Sequence, residues 1–414
     1  MIHAGVAQAV LYQLYQRQSD MLWPMRMMAQ TTQAMLGWPH RTPRTRFGRR
    51  MNAALELVDR LTLTHERPDY AISQVICDGR AVRVTEHAAL KTAFSTLLHF
   101  RKETQSRHQA VLVVAPLSGH FSTLLRNTVQ TLLQDHDVYI TDWHNARNVP
   151  LSHGRFGFAD YIDTVISFLE HIGPNAHIVA VCQPCVQVLA AVALMAQDDH
   201  PCQPLSMTLM GGPIDVRRSP TTVNALAFNH SIDWFEKNLI TTVPARYRGA
   251  GRKVYPGFLQ LNAFVRMNLE RHVTAHRKLY THLTNREFDE ASAIKEFYDE
   301  YFCVLDMPAE FYIETVHVVF QEALLAKGKL HHRGRKVDPG KITRTALLTV
   351  EGERDDICAL GQTSAAHDLC AALPARLKHH HMQHSVGHYG LFSGKRWDKE
   401  IYPIVREVIS AASP

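Results

Sequence analysis

The sequence lacks several features that would place it in a specialised class. No run of about eighteen consecutive apolar residues occurs in its 414 residues, so we expect no membrane-spanning helix. The N-terminus, MIHAGVAQAVLYQLYQRQSDMLWPMRMMAQ, has no basic start, continuous apolar core or small-residue cleavage site, so it does not resemble a signal peptide. The net charge is +6, but there is no dense basic run with interleaved aromatic residues, which disfavours nucleic-acid binding. These absences favour a cytoplasmic globular protein.

The cysteines are scattered along the chain and do not indicate a cross-linked fold. The number of cysteines is odd, and so long a chain can bury a large core without cross-links, so no disulfide framework is expected. A reducing compartment suits this composition. The seven cysteines are Cys77, Cys182, Cys185, Cys202, Cys303, Cys358 and Cys370. Two of them begin the apolar stretch VCQPCVQVLAAVALMA (181–196), and their role is the main question that the sequence raises.

Residues 1–68 are predicted to form an N-terminal helical segment and linker. Methionines cluster between Met21 and Met35, after four residues that recur at helical spacing: Val10, Leu11, Leu14 and Tyr15. Such a helix would pack on the body of the protein or on a twin subunit, or it would contact a hydrophobic surface, since methionine is an adaptable apolar residue. The segment TPRTRFGRR (42–50) is interpreted as a basic linker.

Residues 69–214 alternate between β and α patterns, which predicts an open, mostly parallel sheet with helices on both faces. Short apolar β-branched segments are typical of buried parallel strands. The predicted strands are YAISQVIC, RAVRVTEH, AVLVVAP (110–116), DVYITDW (137–143), HIVAVC (177–182) and SMTLMGG (206–212). The predicted helices are FSTLLRNTVQTLLQD, YIDTVISFLEHIG and QVLAAVALMAQ.

The alternation stops in residues 215–335, where aromatic and helical patterns dominate and no clear buried strand occurs. We interpret this segment as a helical insertion that lies over the sheet. Residues 336–414 complete the core. Their predicted elements are the strand TALLTVEGERDD (345–356), the helix QTSAAHDLCAALP, a strand in LKHHHMQHSVGHYG (377–390) and the final helix YPIVREVISAA.

Cys182 lies where a predicted apolar strand ends and a helix begins. Reactive groups in open α/β sheets collect at that edge, and a helix N-terminus stabilises a thiolate. The turn from Ala180 to Pro184 has the form small-x-nucleophile-x-small, with cysteine in the position of the nucleophile. Pro184 is tolerated in the first turn of a helix. The pattern predicts that Cys182 is a nucleophile.

A base and an orienting acid are expected further along the chain in the order nucleophile, acid, histidine. Asp355 follows an apolar strand, and His388 lies in a loop just after the last strand. The oxyanion of the intermediate would be stabilised by the backbone N–H of Gln183 and by a second donor near Leu117 and Ser118. These residues form the predicted site.

Other interpretations stay open at this point. Cys182 and Cys185 could be a redox pair, or zinc ligands, although no second CxxC accompanies them. Either could simply pack, and Cys185 is expected to do so. Asp356 could replace Asp355 as the acid, and His384 could replace His388 as the base. The run KHHH (378–381) lies in a predicted strand whose alternation would split its histidines between two faces, so a metal cluster there is not expected.

With these residues in view, the chain resembles intracellular polyhydroxybutyrate (polyhydroxyalkanoate) depolymerases over nearly its full length. The most specific segments are VAPLSGHFSTLLRNT, YITDWHNARNVPLSHGRFGFADYID, VAVCQPCVQVLAAVALMA, MTLMGGPIDVRRSPT, LLTVEGERDDICALGQT and SVGHYGLFSGKRW. The resemblance implies an α/β-hydrolase fold with a helical cap. It also implies a cysteine nucleophile, and it assigns that role to Cys182, with Asp355 as acid and His388 as base. Cys185 departs from the pattern, because a residue other than cysteine is expected there.

The resemblance further implies hydrolysis of amorphous polymer granules in the cytoplasm to 3-hydroxybutyrate monomer and oligomers, without a metal or redox cofactor. It leaves open whether water or CoA resolves the acyl-thioester, and a homodimer is plausible through the N-terminal helix. A polyhydroxyalkanoate synthase is the main alternative, although synthases typically place the cysteine between two glycines, where this chain has Ala180 and Pro184. A non-catalytic granule-coat protein is the third hypothesis.

Overall fold

The computed structural model describes residues 2–35, 45–60, 63–267 and 269–413. In this part of the chain the central sheet has nine strands. They are β1 (Gln74–Cys77), β2 (Arg80–Lys91), β3 (Ser95–Lys102), β4 (Ala110–Val114), β5 (Asp137–Trp143), β6 (His177–Val181), β7 (Ser206–Met210), β8 (Ala346–Gly352) and β9 (Lys378–Gln383). Their spatial order is β1-β2-β3-β5-β4-β6-β7-β8-β9.

The six strands β5, β4, β6, β7, β8 and β9 run parallel to one another. Strands β1, β2 and β3 pair antiparallel, and β3 is also antiparallel to β5. One line of the register joins Val113, Val179, Thr208, Leu348 and His379 across the sheet. Every residue of β6 is buried, as expected for a central parallel strand covered on both faces. This order, with β3 as the antiparallel member beside the parallel strands, confirms the predicted α/β-hydrolase class.

Helices flank the sheet and carry its apolar cover. Helix α5 is buried from Cys185 to Met195, since nearly all of its residues are apolar. The helices of the core are α3 (Arg126–Leu132), α4 (Phe158–Ile172), α5 (Cys185–Gln197), α12 (Ala366–Leu369), α13 (Gly394–Arg396) and α14 (Tyr402–Ala412). Helix α4 packs against α5, and α14 packs against β7 and β8.

The insertion between β7 and β8 is mainly helical, as predicted. Its helices are α6 (Thr222–Asn229), α7 (Ile232–Leu239), α8 (Gly257–Met267), α9 (Leu269–Asn285), α10 (Phe288–Tyr301) and α11 (Ala309–Thr315). The expectation of no buried strand was wrong. Thr241–Thr242, Lys253–Tyr255 and Met307–Pro308 form a small antiparallel sheet in which Val254 is fully buried, and His331–His332 pairs with Arg335–Lys336. The predicted boundaries at 68, 214 and 335 stay predictions.

The N-terminal segment holds two helices, α1 (Ile2–Met35) and α2 (Arg46–Arg60). Tyr12 and Tyr15 pack on Phe258 of the insertion. Val10 and Leu11 lie in α1, but their side chains are outside the described residues. The linker interpretation of 42–50 was wrong for its second part, because Arg46 already begins α2; residues 42–44 lie outside the described residues.

Two further differences from the sequence prediction have physical causes. Strand β3 was not predicted, because its mixture of polar and apolar residues does not form a buried apolar run. The helix predicted in QTSAAHDLCAALP is reduced to α12, because the backbone N–H groups of Gly361, Thr363 and Ser364 donate to the buried carboxylate of Glu351 and hold the chain in a turn. None of the helices in the described part of the chain combines the length and apolar character needed to cross a bilayer.

Candidate active site

The predicted site residues follow neighbouring strands at one edge of the sheet. Leu117 and Ser118 follow β4, Cys182 follows β6, Asp355 follows β8 and His388 follows β9. Because β4, β6, β7, β8 and β9 are adjacent and parallel, their carboxyl ends meet at this edge. The strand order therefore brings together residues that are far apart in the sequence.

Cys182 occupies a strained turn between β6 and α5. Its φ is 68°, a left-handed conformation that a residue with a side chain adopts rarely. The turn is fixed on both sides: the Cys182 N–H donates to the Met210 carbonyl at 2.7 Å, and the Cys185 N–H donates to the Cys182 carbonyl at 3.1 Å. This geometry holds a nucleophile exposed above the sheet in α/β-hydrolases, and the Cys182 side chain is only half-buried.

Cys185 has a different environment from Cys182. Its side chain is fully buried in the first turn of α5, and its Sγ points to the backbone carbonyls of Ala180 and Met210, at 3.5 and 3.8 Å. Burial, followed by the neighbouring Cys182, raises the pKa of the Cys185 thiol well above its usual value. A thiol held neutral in the core is a packing group, which is the role expected for Cys185 from the sequence.

Asp355 and His388 are hydrogen-bonded and buried. The Nδ1–H of His388 donates to Oδ2 of Asp355 at 2.7 Å. The other carboxylate oxygen, Oδ1, accepts the backbone N–H groups of Ile357 and Cys358 at 2.9 and 2.8 Å. Three donors thus fix the carboxylate, and the carboxylate fixes the tautomer and orientation of the imidazole.

The imidazole of His388 interacts with Cys182 as well as with Asp355, since both side chains influence its pKa. Since Nδ1 is committed to Asp355, Nε2 is the nitrogen that meets the sulfur. Burial, the largest single influence, lowers the pKa of His388, but the charges of Asp355 and Cys182 together outweigh it and raise that pKa well above its usual value. A raised pKa favours the protonated form of the His388 imidazole.

The two alternative site residues lie elsewhere. Asp356 is exposed, unlike Asp355, which is 6% exposed. His384 is also exposed, and its Nδ1 lies 3.7 Å from Glu353. The structure therefore brings His388 and Asp355, rather than these neighbours, to Cys182.

Two glycines that the sequence analysis did not single out make room for the site. A Cβ on Gly211 would lie 3.2 Å from Cε1 of His388 and 3.0 Å from Leu391, and the φ of Gly211 is 56°. A Cβ on Gly212 would lie 2.1 Å from the Cβ of Cys185. In the sequence, the only sign of this close packing is the pair GG at the end of the predicted strand SMTLMGG. Glycines at the end of a strand often mark a place where another part of the chain comes close.

The loop expected to carry the second oxyanion donor is held by the insertion. The Leu305 N–H donates to the carbonyl of Gly119 at 2.9 Å, and His120 pairs with Val304. Leu117 is buried and Ser118 is half-buried. Gln183 directly follows Cys182, and both polar atoms of its buried side chain lack a hydrogen-bond partner among the residues that the structure describes. The oxyanion roles of the Gln183, Leu117 and Ser118 backbones stay predictions.

Aromatic side chains from the segment after β9, backed by others from the insertion, cover the imidazole of His388. Tyr389 and Phe392 pack edge-on to the His388 ring, with centroids 5.9 and 5.8 Å away. Tyr301 and Phe297 of α10 pack in turn on Tyr389. This apolar cover limits access of water to the imidazole and offers contact area to an apolar substrate.

No metal-ligand cluster lies at this site among the described residues. The histidines of KHHH lie in β9, where His380 meets Thr349 and His381 meets Gln383. One group in the described chain does have the spacing of metal ligands, and it lies at the other edge of the sheet: Cys77, Asp78 and His108.

The C-terminal half of the chain matches a known protein family. Residues 211–413 match the family model PHB de-polymerase C-terminus, a range that includes Gly211, Asp355 and His388 and begins after Cys182. No curated protein matches the chain significantly.

Three solved structures illustrate the structural similarity. A putative lipase from Acinetobacter baumannii AYE is 13% identical, with 80% of this chain and 93% of that chain covered and a TM-score of 0.41. The 2-hydroxy-6-oxo-6-phenylhexa-2,4-dienoate hydrolase of Rhodococcus sp. strain RHA1 is 13% identical, with 80% and 99% covered and a TM-score of 0.42. The monoacylglycerol lipase of Paleococcus ferrophilus is 12% identical, with 73% and 95% covered and a TM-score of 0.42. The fold assignment rests on the strand order, not on these scores.

The family match lies on the part of the chain that supplies the buried pair Asp355 and His388. The strand order around it is that of an α/β-hydrolase. Residues 211–413 therefore belong to the PHB depolymerase family, and the protein is a carboxylic ester hydrolase.

Proposed function

We propose that the protein is an intracellular polyhydroxybutyrate depolymerase that hydrolyses amorphous poly(3-hydroxybutyrate) to 3-hydroxybutyrate monomer and oligomers. The observation that carries the proposal is the strained turn at Cys182 beside the buried His388–Asp355 hydrogen bond. A left-handed φ at a residue other than glycine costs free energy, of order 1–3 kcal/mol, and such strain is common at nucleophiles. The match to the PHB depolymerase family supplies the class of substrate.

The first half of the reaction is acylation of Cys182. The thiolate attacks an ester carbonyl of the polymer, and the imidazolium of His388 carries the thiol proton. Backbone N–H groups of Gln183 and of Leu117 or Ser118 stabilise the oxyanion. When the tetrahedral intermediate collapses, Nε2 of His388 donates its proton to the departing hydroxyl of the shortened chain. A 3-hydroxyacyl thioester remains on Cys182.

The second half of the reaction releases the acyl group. Neutral His388 removes a proton from water, which attacks the thioester and frees a 3-hydroxy acid with regeneration of the thiolate. Asp355 holds the imidazole in one orientation through both halves, because its own position is fixed by two backbone donors. CoA could take the place of water at this step and conserve the activated acyl group.

The polymer is insoluble, so the enzyme must act at a granule surface in the cytoplasm. Helix α1 supports this part of the proposal because it exposes an apolar stripe with a spacing of seven residues. The residues of this methionine stripe are Leu14, Met21, Met28 and Met35. Such a surface adapts to an irregular apolar substrate, since methionine has a flexible side chain.

The test measures 3-hydroxybutyrate released from amorphous polymer granules by the parent protein and by Cys182→Ala. We expect the substitution to lower the rate at least about 10³-fold, because it removes the group that forms the covalent bond. Cys185→Ala is the matched control. It should keep most of the activity, since its thiol is buried and held neutral.

The outcomes separate the three functions. Loss of activity in Cys182→Ala alone supports the proposal. If the parent frees CoA from 3-hydroxybutyryl-CoA and releases nothing from granules, the protein is a synthase-like acyltransferase. Granule binding without either reaction would make it a coat protein.

A further inference from the structure

A group of potential metal ligands lies at the edge of the sheet far from Cys182 in the strand order. Cys77 is the last residue of β1, Asp78 is in the turn to β2, and His108 is in the loop that precedes β4. One ligand atom from each residue lies within 4.8 Å of the others, and no other group in the described ranges meets this criterion. The reaction proposed for the protein uses none of these residues.

The orientation of His108 suits metal coordination. Its Nδ1 lies 2.9 Å from the backbone carbonyl oxygen of Asp135, which can only accept a hydrogen bond, so Nδ1 carries the proton. Nε2 therefore presents its lone pair, and it lies 3.5 Å from Sγ of Cys77. Histidines that bind metals commonly have this arrangement, in which a carbonyl or carboxylate fixes the second ring nitrogen.

The separation of sulfur and nitrogen fits a tetrahedral ion. Zn–S and Zn–N bonds of about 2.3 and 2.05 Å at a tetrahedral angle separate the two ligand atoms by about 3.6 Å. The observed 3.5 Å also suits a hydrogen bond from the Cys77 thiol to Nε2. The metal-free and zinc-bound forms therefore differ by one exchange. The zinc ion takes the place of the thiol proton of Cys77, the proton passes to solvent, and no electron is transferred.

The neighbours of the cluster would support the bound state. Ser106 Oγ donates to Oδ2 of Asp78 at 3.2 Å and limits the motion of this exposed side chain. Lys102 Nζ donates to the carbonyl of Leu133 at 2.9 Å and lies 3.8 Å from Sγ of Cys77. In that position it can donate to the thiolate sulfur from outside the ligand shell.

We propose that Cys77, Asp78 and His108 form a zinc site, completed by water, that ties the β1–β2 hairpin to the loop before β4. The mixed thiolate, imidazole and carboxylate set favours zinc over magnesium or calcium, which prefer oxygen ligands alone. The site cross-links two segments at the edge of the sheet, which the hydrogen bond from Ser106 to Asp78 also joins. Its function is therefore structural.

The test is metal binding by the full-length protein after removal of metal with a chelator. Zinc is titrated calorimetrically, and cobalt is used as a spectroscopic probe, because a cobalt–thiolate bond gives a charge-transfer band. We expect one zinc per chain at this site, bound at least about 100-fold more weakly in Cys77→Ser and in His108→Gln. The cobalt band should disappear in Cys77→Ser.

Controls exclude the other thiols. Cys202→Ser, a cysteine outside the cluster, and Cys182→Ala should both keep the cobalt band. If the band is lost in Cys182→Ala and kept in Cys77→Ser, the metal binds at the candidate active site and the proposal is wrong. A parent protein that binds zinc no more tightly than about 1 mM would also overturn it.

A variant at the exposed ligand covers the case in which Cys77→Ser does not fold. Asp78→Asn keeps the shape of the side chain and removes its charge. At a zinc concentration about 100 times the dissociation constant, the parent should gain roughly 3 °C in Tm, and Asp78→Asn should gain less than half of that. Equal gains in the two proteins would contradict the assignment of Asp78 as a ligand.

Discussion

The carboxyl edge of the sheet and helix α1 use their side chains in opposite ways. At the edge, Asp355 and His388 are almost completely buried, and three donors hold the Asp355 carboxylate. On α1, Met21, Met28 and Met35 are 78, 70 and 84% exposed, while Tyr12 on another side of the helix is fully buried and donates to Asp306 at 2.5 Å. The edge of the sheet therefore holds its side chains in defined positions, whereas helix α1 exposes flexible apolar side chains.

This difference matches what each region would have to do. Proton transfer and attack on an ester carbonyl require groups held within a few tenths of an ångström, which burial and hydrogen bonds provide. Contact with an amorphous polymer requires area without fixed geometry, because the polymer presents no repeated shape. We therefore expect substitutions at the edge to lower the chemical rate on every ester, and substitutions on α1 to affect the insoluble substrate alone.

The largest effect is expected from the acid of the site. Asp355→Asn keeps the size of the side chain but removes the charge that orients and stabilises the imidazolium of His388. We expect kcat to fall about 10³-fold on both granules and a soluble ester. Asp356→Asn is the matched control, since it changes the adjacent, exposed carboxylate, and its activity should stay within about threefold of the parent. Equal losses in the two variants would break the assignment of the acid.

The next largest effect is expected at Gly211, whose lack of a side chain leaves room for the His388 ring. Gly211→Ala places a methyl group 3.2 Å from the His388 ring and 3.0 Å from Leu391, so the imidazole must shift. We expect kcat to fall about 10- to 100-fold, as positioning errors of this size commonly cause. Gly328→Ala is the control for backbone strain, because Gly328 has a similar φ of 64° but no atom within 4 Å of the added Cβ. Gly328→Ala should lower the free energy of unfolding about as much as the backbone strain in Gly211→Ala does. It should keep the activity of the parent.

A third prediction concerns the methionine stripe. Replacement of Met21, Met28 and Met35 by serine removes apolar contact area and leaves the edge of the sheet untouched. We expect the rate on polymer granules at low enzyme concentration to fall about tenfold, because less apolar area of helix α1 would be buried against the granule. The rate on a soluble short-chain ester should not change. Leu151→Ser, at an exposed leucine outside α1, is the control and should keep the rate of the parent on both substrates. If the methionine variant instead loses the same activity on granules and on the soluble ester, the two regions do not differ in this way.

The same contrast explains what the sequence could and could not predict. Strands β5, β6 and β7 were predicted within one or two residues, because buried parallel strands are short apolar runs between turns. The association of Cys182, Asp355 and His388 followed from their positions after such strands. Their roles in catalysis stay a prediction, as do the oxyanion donors.

What the sequence could not predict depends on contacts between distant segments. The loss of the helix after β8 results from three backbone donors to Glu351, a long-range contact that no local pattern carries. The role of Gly211 depends on a histidine far along the chain. The small sheet of the insertion has strands of two or three residues, which are too short for a periodic signal.

The smallest expected effect is a dependence of stability on pH that arises from the site itself. The pKa of His388 is raised well above its unfolded value of about 6.5, so the folded protein holds a proton that the unfolded chain loses between these two values. The stabilisation is therefore complete below about pH 6.5 and is lost as the pH rises toward the folded pKa. Relative to His388→Gln, the parent should lose at most about 1.5 °C in Tm per pH unit in that window.

His384→Gln is the control for this measurement, because His384 is exposed and lies outside the site. Its Tm should follow that of the parent at each pH, whereas Asp355→Asn should behave like His388→Gln, since the charge of Asp355 is the larger of the two that raise the pKa of His388. If the difference in Tm between the parent and His388→Gln is the same at every pH from 6 to 9, the folded and unfolded pKa values of His388 are equal. In that case the imidazole would be neutral at the pH of the cell, and it would have to act on Cys182 as a general base instead of as the partner of a preformed thiolate.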